Sequence, residues 1–203
     1  DDTDFVWHVD SDEVYSSDTI ERMIKILETN EWDSVGFKPY SFFGGFDRTM
    51  CGFEENSEIH RIQRWYPGAR WDTHRPPTVL APDGKPWREH RHISNNESER
   101  LVGRLFHYSY VTPRQMKAKA DYYYALGGGN RIPDYFNKVY LPWVRADDSG
   151  KREVEDKYGG VHDYLPELRG ECRTIPFMGQ HPVEIEKSLP ELRRRFDEQL
   201  AEC

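Results

Sequence analysis

The residues best suited to chemistry in this sequence are Asp10 and Asp12, which directly follow the apolar segment at residues 5–9. The β-branched and aromatic residues of that segment predict a buried strand. In open α/β sheets, ligands bind beyond the carboxyl ends of strands, and two carboxylates spaced i, i+2 can converge there on one hard cation. Such a cation can neutralise a diphosphate leaving group. Because Asp pairs also occur in ordinary turns, the spacing by itself leaves both interpretations open.

The segments around this acidic pair predict an α/β fold. Apolar residues recur at helical spacing between Ile20 and Leu27, and Asp18 with Glu21 matches the capping-box pattern that opens a helix. Residues 34–37 are predicted as the next strand, which completes a strand–loop–helix–strand unit. Further elements are predicted as strands at 59–65 and 101–106, a helix at 113–126 and a last helix that opens at Ser188.

Three segments of the chain resemble family-2-type glycosyltransferases with the GT-A fold. Residues 5–15, FVWHVDSDEVY, are similar to the family's hydrophobic strand followed by D-x-D-E. Residues 61–74 are similar to its R-L-F-R-like strand, which leads through a glycine-containing turn to an H-E pair. Residues 107–123 are similar to its H-Y-x-Y segment and the K/R-x-x-Y helix that follows. The three segments occur in the family's order.

The resemblance implies a fold and a domain organisation. Residues 1–126 are expected to form the C-terminal part of a GT-A-like mixed sheet flanked by helices, truncated at its N-terminus because the family's nucleotide-binding strands precede D-x-D. Residues 127–203 are expected to form an irregular extension that ends in a helix packed on the core. Since the chain starts directly at the acidic strand, we expect a fragment or a processed product of a longer protein.

The resemblance also implies transfer of a sugar from a nucleotide-sugar donor to a glycan, lipid or protein acceptor, with Mn²⁺ or Mg²⁺ as cofactor. Asp12 is then the direct metal ligand, and Asp10 contacts the metal or the nucleotide ribose. His107 is the candidate third ligand, with a packed, backbone-bonded histidine as the alternative; a neutral imidazole favours Mn²⁺. The family's H-E pair is His74-Arg75 here, so we expect Arg75 to hold a phosphate.

An inverting transfer needs a carboxylate that deprotonates the acceptor hydroxyl. The candidates for this catalytic base are four acids, each with an exposed surface position as the alternative: Glu54, Glu55, Glu58 and Asp72. We favour Asp72 because it lies two residues before His74, on the side expected to face the acceptor. A retaining mechanism is equally compatible with the sequence.

Two other classes of function remain open. His90 and His92, combined with His74 or His107, form an alternative zinc site, although the flanking sequence is loop-like and contains no H-E-x-x-H pattern. A metal-dependent hydrolase that uses the acidic pair and these histidines is therefore the first alternative. The second is a non-catalytic carbohydrate-binding or interaction module whose aromatic side chains stack on sugars. Three tryptophans are either core or sugar-stacking residues: Trp65, Trp71 and Trp143.

Composition and charge restrict the partners. The net charge of −8 disfavours general binding to nucleic acids and anionic membranes. No apolar run approaches the roughly 18 residues of a membrane span. Residues 1–59 carry 4 basic and 15 acidic side chains, whereas residues 60–119 carry 12 and 5. This asymmetry suits a metal beside a phosphate-bearing ligand, and it is also compatible with chance. Three scattered cysteines argue against a disulfide framework and favour a reduced, cytoplasmic protein.

Overall fold

The computed structural model describes residues 4–74, 77–125, 132–162 and 172–203. The strands are β1 (Asp4–Trp7), β2 (Glu13–Val14), β3 (Ser34–Phe37), β4 (Pro39–Phe43), β5 (Arg48–Met50), β6 (Ile59–Trp65), β7 (Arg70–His74), β8 (Pro77–Leu80), β9 (His92–Ile93), β10 (Leu105–Tyr110) and β11 (Thr174–Pro176). The helices are α1 (Ser17–Glu28), α2 (Phe53–Asn56), α3 (Asn95–Leu101), α4 (Pro113–Ala125), α5 (Leu141–Arg145), α6 (Asp148–Tyr158) and α7 (Val183–Ala201). The predicted α/β class is confirmed.

The chain divides into two compact units, each made from two stretches of sequence. Unit 1 contains residues 1–39 and 56–105, and unit 2 contains residues 40–55 and 106–203. The predicted boundary after residue 126 lies among residues outside the described part of the chain, so it stays a prediction. Among the described helices, none is both long enough and apolar enough to cross a membrane.

Unit 1 is built around a four-stranded mixed sheet with the strand order β1–β6–β3–β9. The long strand β6 pairs antiparallel with β1 and with β3, and β3 pairs parallel with β9. Every residue of β3 is buried, which explains why its sequence lacks the alternation of a half-exposed strand. The larger cluster of buried hydrophobic residues in this unit contains Tyr15, Met23, Val35, Phe37, Ile62, Ile93, Val102 and Leu105. A smaller one contains Val79, Ala81 and Trp87.

Helix α1 begins earlier than the sequence pattern predicts. Ser16 is the N-cap, since its backbone is extended and its Oγ accepts the Thr19 backbone N–H at 3.1 Å. The capping box predicted at Asp18 is therefore wrong. Asp18 lies in the first turn and forms an exposed ion pair with Arg22 at 2.9 Å. Met23 carries the buried face of the helix.

Two other element boundaries also differ from the prediction. The strand predicted at residues 101–106 is divided between the end of α3 and the start of β10. Helix α3 was not predicted; it begins where the Ser94 backbone N–H donates to Glu97 Oε2 at 3.1 Å, a capping-box bond. The last helix begins at Val183 rather than at Ser188, and it continues through Pro190.

Unit 2 contains the strands β11, β5, β4 and β10 in that order, together with most of the helices. Its core is strongly aromatic, with Phe43, Tyr140 and Trp143 all nearly inaccessible to solvent. Gly44 has a φ of +61°, and a Cβ there would lie 2.3 Å from the Trp143 ring, so only glycine fits. Of the two predicted roles for Trp143, the structure assigns the core.

Candidate functional site

The acidic segment after β1 forms a tight turn. The Glu13 backbone N–H donates to the Asp10 carbonyl at 3.0 Å, and the Asp10 N–H reaches Glu13 Oε2 at 3.3 Å. The Glu13 side chain is completely buried, whereas 63% of the Asp10 side chain is exposed. The turn therefore buries one carboxylate and presents another to solvent.

Arg61 on β6 holds this turn together. Its Nε donates to both Glu13 oxygens, at 3.0 and 2.8 Å, and its Nη2 bonds Glu13 Oε1 as well. The same Nη2 lies 2.7 Å from Asp10 Oδ2. Burial would lower the pKa of the Arg61 guanidinium, but the bonds and charge of Glu13 raise it. The role of Arg61 as the centre of the turn was not predicted from the sequence.

The strand that carries Asp72 is joined to the acidic turn through aromatic rings. The His8 and Trp71 ring centroids lie 4.5 Å apart, and His8 is two residues before Asp10. The pairing of β7 with β8 shifts register between Trp71 and Thr73, so Asp72 is the extra residue of a bulge. Asp72 is exposed, and 46% of Trp71 is accessible to solvent. Bulges re-aim side chains, and they are frequent beside active sites.

The other residues predicted for this site have different outcomes. Asp12 lies in the turn of unit 1 and is half-buried, while His107 lies on β10 in unit 2, so their shared metal site stays a prediction. Arg75 lies outside the described residues. Glu54 lies on α2, but its side chain is outside the described part, and Glu55 is half-buried.

Glu58 belongs to a separate cluster with two histidines. Its Oε1 lies 2.9 Å from His92 Nε2 and 3.4 Å from His60 Nε2, and its Oε2 accepts the Asn95 backbone N–H at 2.9 Å. Each of the three side chains offers a ligand atom within 4.8 Å of the others, which is compatible with a shared metal ion. The ring of His92 is fixed from behind by Ser34 Oγ, 2.7 Å from Nδ1.

The electrostatics of this cluster follow from its burial and its hydrogen bonds. Burial would raise the pKa of Glu58, but the bonds from His92 and the Asn95 backbone lower it to about 2. For His60, burial lowers the pKa more strongly than the negative charge of Glu58 raises it. At neutral pH, Glu58 is therefore an ionised carboxylate that faces a neutral His60 imidazole.

The zinc alternative predicted from His90 and His92 with His74 or His107 stays a prediction. His92 contributes to the cluster, but His90 lies 3.4 Å from Asp83 instead. The side chain of His74 is outside the described part of the chain, and His107 lies in unit 2. The sequence signal for this cluster was the alternation Glu58-x-His60 leading into β6, which places both side chains on one face.

The comparisons with known proteins give no family. No family model matches the chain, and no curated protein and no solved structure matches it. The function must therefore be argued from the side chains themselves. The described residues offer two sites, the Arg61-centred acidic turn and the Glu58–His60–His92 cluster.

Proposed function

We propose that the chain transfers a sugar from a nucleotide-sugar donor, with a divalent cation bound at the acidic turn, and that its fold is of the GT-A type. The observation that supports this most is the Arg61-centred turn directly after β1. A buried arginine holds both Glu13 and Asp10 in fixed positions. The Asp pairs of ordinary turns are instead surrounded by solvent.

The charges of the turn suit a divalent cation. Glu13, Asp10 and Asp12 carry three negative charges, and Arg61 neutralises one of them. Glu13 is fully buried on the guanidinium, whereas 63% of the Asp10 side chain is exposed and Asp12 is half-buried, so we infer that Asp10 and Asp12 are the ligands of the cation. Mn²⁺ or Mg²⁺ held there would neutralise the diphosphate that leaves as the sugar is transferred.

Asp72 is our choice of catalytic base among the predicted acids. Its bulge lies on the strand whose Trp71 ring contacts His8, next to the acidic turn. Glu58 is a weak base, because its pKa is about 2 and both of its oxygens are already hydrogen-bonded. The half-exposed Trp71 ring is then the sugar-stacking surface of the acceptor side.

Calorimetric titration of nucleoside diphosphates tests this proposal. UDP, GDP, dTDP and ADP are each titrated into the protein with and without Mn²⁺. We expect one of them to bind only with Mn²⁺, and Asp12→Asn to abolish that binding. Asp18→Asn is the matched control, since it removes an exposed carboxylate six residues away and should leave binding unchanged.

Two results would count against the proposal. Nucleotide binding that ignores Mn²⁺ and Asp12→Asn would indicate a site elsewhere on the chain. Mn²⁺-dependent hydrolysis of a phosphate ester without any preference for nucleotides would favour the metal-dependent hydrolase. In either case, the acidic turn would no longer be proposed as the binding site of the nucleotide-sugar donor.

A further inference from the structure

We propose that Glu58, His60 and His92 form a site for one Zn²⁺ ion in unit 1, separate from the acidic turn. Two imidazoles and one carboxylate are a ligand set that zinc uses, with the fourth tetrahedral position left to water. Tetrahedral ligands about 2.0–2.1 Å from zinc lie about 3.3 Å from one another. The Glu58 oxygen is already 2.9 and 3.4 Å from the two imidazole nitrogens.

The sheet brings the two histidines together. His60 lies on β6 and His92 on β9, the two strands that flank β3. Ser34 pairs with His92 across the parallel register, and its hydroxyl bonds Nδ1, which directs Nε2 towards Glu58. An outer hydrogen bond on the second ring nitrogen is the usual device that orients a metal-binding histidine.

Gly36 leaves the space that Glu58 occupies. The pairing of β3 with β6 shifts register at Gly36, which then lies opposite His60. A Cβ on Gly36 would come within 2.5 Å of Glu58 Cγ and 2.7 Å of its Cδ. The Glu58 carboxylate therefore lies over Gly36, where no side chain fills the space. The Asn95 backbone N–H donates to its second oxygen.

A simple ion pair does not account for the whole cluster. One imidazolium is enough to neutralise Glu58, yet a second imidazole also faces the same oxygen. The ring centroids of His60 and His92 are only 5.3 Å apart. Two neighbouring imidazoles repel each other when both are protonated, whereas a metal ion uses both in the neutral form. Imidazole ligands favour Zn²⁺ over Mg²⁺ or Ca²⁺.

Zinc binding is measured by competition with a chromophoric chelator on the purified, metal-stripped protein. We expect one Zn²⁺ per chain, and losses of affinity well above 10-fold for His60→Asn and His92→Asn. Gly36→Ala removes no ligand but displaces Glu58, and it should weaken binding by about 10–100-fold. His90→Asn is the matched control, since this neighbouring histidine lies 3.4 Å from Asp83, outside the cluster, and should be dispensable.

Co²⁺ substitution provides a second, independent measurement. The visible spectrum should show the intense bands of tetrahedral coordination without a thiolate charge-transfer band, because the three cysteines are not in the ligand set. Circular dichroism without metal checks that each variant folds. If a histidine variant does not fold, Glu58→Gln and Gly36→Ala decide in its place.

The proposal is overturned by any of three results: no Zn²⁺ binding by the parent protein, a thiolate band with Co²⁺, or affinity that the folded variants leave unchanged. None of these results depends on nucleotide binding at the acidic turn. Failure of the zinc site and failure of the proposed transferase are therefore distinguishable.

Discussion

Arginine side chains neutralise two carboxylates in unit 1. Arg61 holds Glu13, and Asp33 is held by Arg64 and Arg91, each with a nitrogen 2.8 Å from Oδ1. Glu13 and Asp33 are both almost inaccessible to solvent. Removing one member of a buried ion pair leaves an uncompensated charge, which costs several kcal/mol. The folded state therefore requires both members of each pair, unlike an ion pair on the surface.

The pH dependence of stability should report the Asp33 pair. Burial would raise the pKa of Asp33, but the bonds from Arg91 and the charge of Arg64 lower it below 3.8. A carboxyl group with a lowered folded-state pKa stabilises the protein above its unfolded pKa, and the contribution is lost as the pH falls through the folded value. We expect Asp33→Asn to be less stable than the parent at pH 7, with a difference that shrinks steadily below about pH 4.

Urea unfolding at pH 7, 5, 4 and 3 measures this difference. Asp18→Asn is the control, because an exposed pair of this kind contributes roughly 0.5 kcal/mol or less at any pH. A difference for Asp33→Asn that stays constant or grows towards acid would contradict the assigned pKa direction.

Irregular pairing in the sheets of unit 1 coincides with both candidate sites. The register shift between Val35 and Gly36 lies at the Glu58–His60–His92 cluster. The shift between Trp71 and Thr73 makes Asp72 the extra residue beside the acidic turn. Since a bulge re-aims side chains that a regular ladder would alternate, we interpret both shifts as features of the sites.

Helix α7 carries a proline where a helix is normally continuous. Pro190 has no N–H to donate, and Ser188 Oγ bonds back to the Glu184 carbonyl at 2.9 Å. Because proline in a helix interior is about 3 kcal/mol less favourable than alanine, we expect Pro190→Ala to raise the free energy of unfolding by about 1–3 kcal/mol. Thermal and urea unfolding measure the change.

Lys187→Ala is the control for this substitution, as it changes the same helix without altering its backbone. It should shift stability by no more than about 0.5 kcal/mol. A loss of stability in Pro190→Ala would instead show that the backbone geometry imposed by Pro190 is needed to bury the neighbouring Leu189 side chain.

At the scale of the whole molecule, the basic stretch at residues 60–119 has fewer side chains available to bind anions than its charge count implies. In the described part of the chain, five of its arginines pair with acidic side chains: Arg61, Arg64, Arg91, Arg104 and Arg114. Given these pairs and a net charge of −8, we expect the electrostatic attraction of a polyanion to be weak.

We therefore expect no binding to single- or double-stranded oligonucleotides at about 0.15 M salt. Fluorescence anisotropy with labelled 30-nucleotide DNA and RNA measures any such binding. The same titration at low salt is the control for weak, non-specific attraction. Micromolar affinity that falls steeply with salt would show a phosphate-binding surface that the charge distribution does not predict.

The sequence alone determined the elements whose signals are local. β3 at residues 34–37 and β6 at residues 59–65 agree with their apolar patterns, and α4 is described over Pro113–Ala125, within its predicted range of 113–126. The acidic turn at residues 10–13 was also predicted, but the buried strand predicted at residues 5–9 before it was wrong in length and burial: β1 ends at Trp7 at the edge of its sheet, and Val9 is 54% exposed. Hydrophobic period and capping chemistry act over a few residues, so they can be identified without knowledge of the fold.

Only the tertiary structure decided which distant side chains meet. Arg61 on β6 reaches Glu13 across 48 positions. His92 reaches Glu58 across 34, because β6 and β9 flank β3 in a particular register. A shift of one residue would turn each of these side chains to the opposite face. Register is set by the packing of the whole sheet, so a single sequence predicts the acidic turn but not the arginine that holds it.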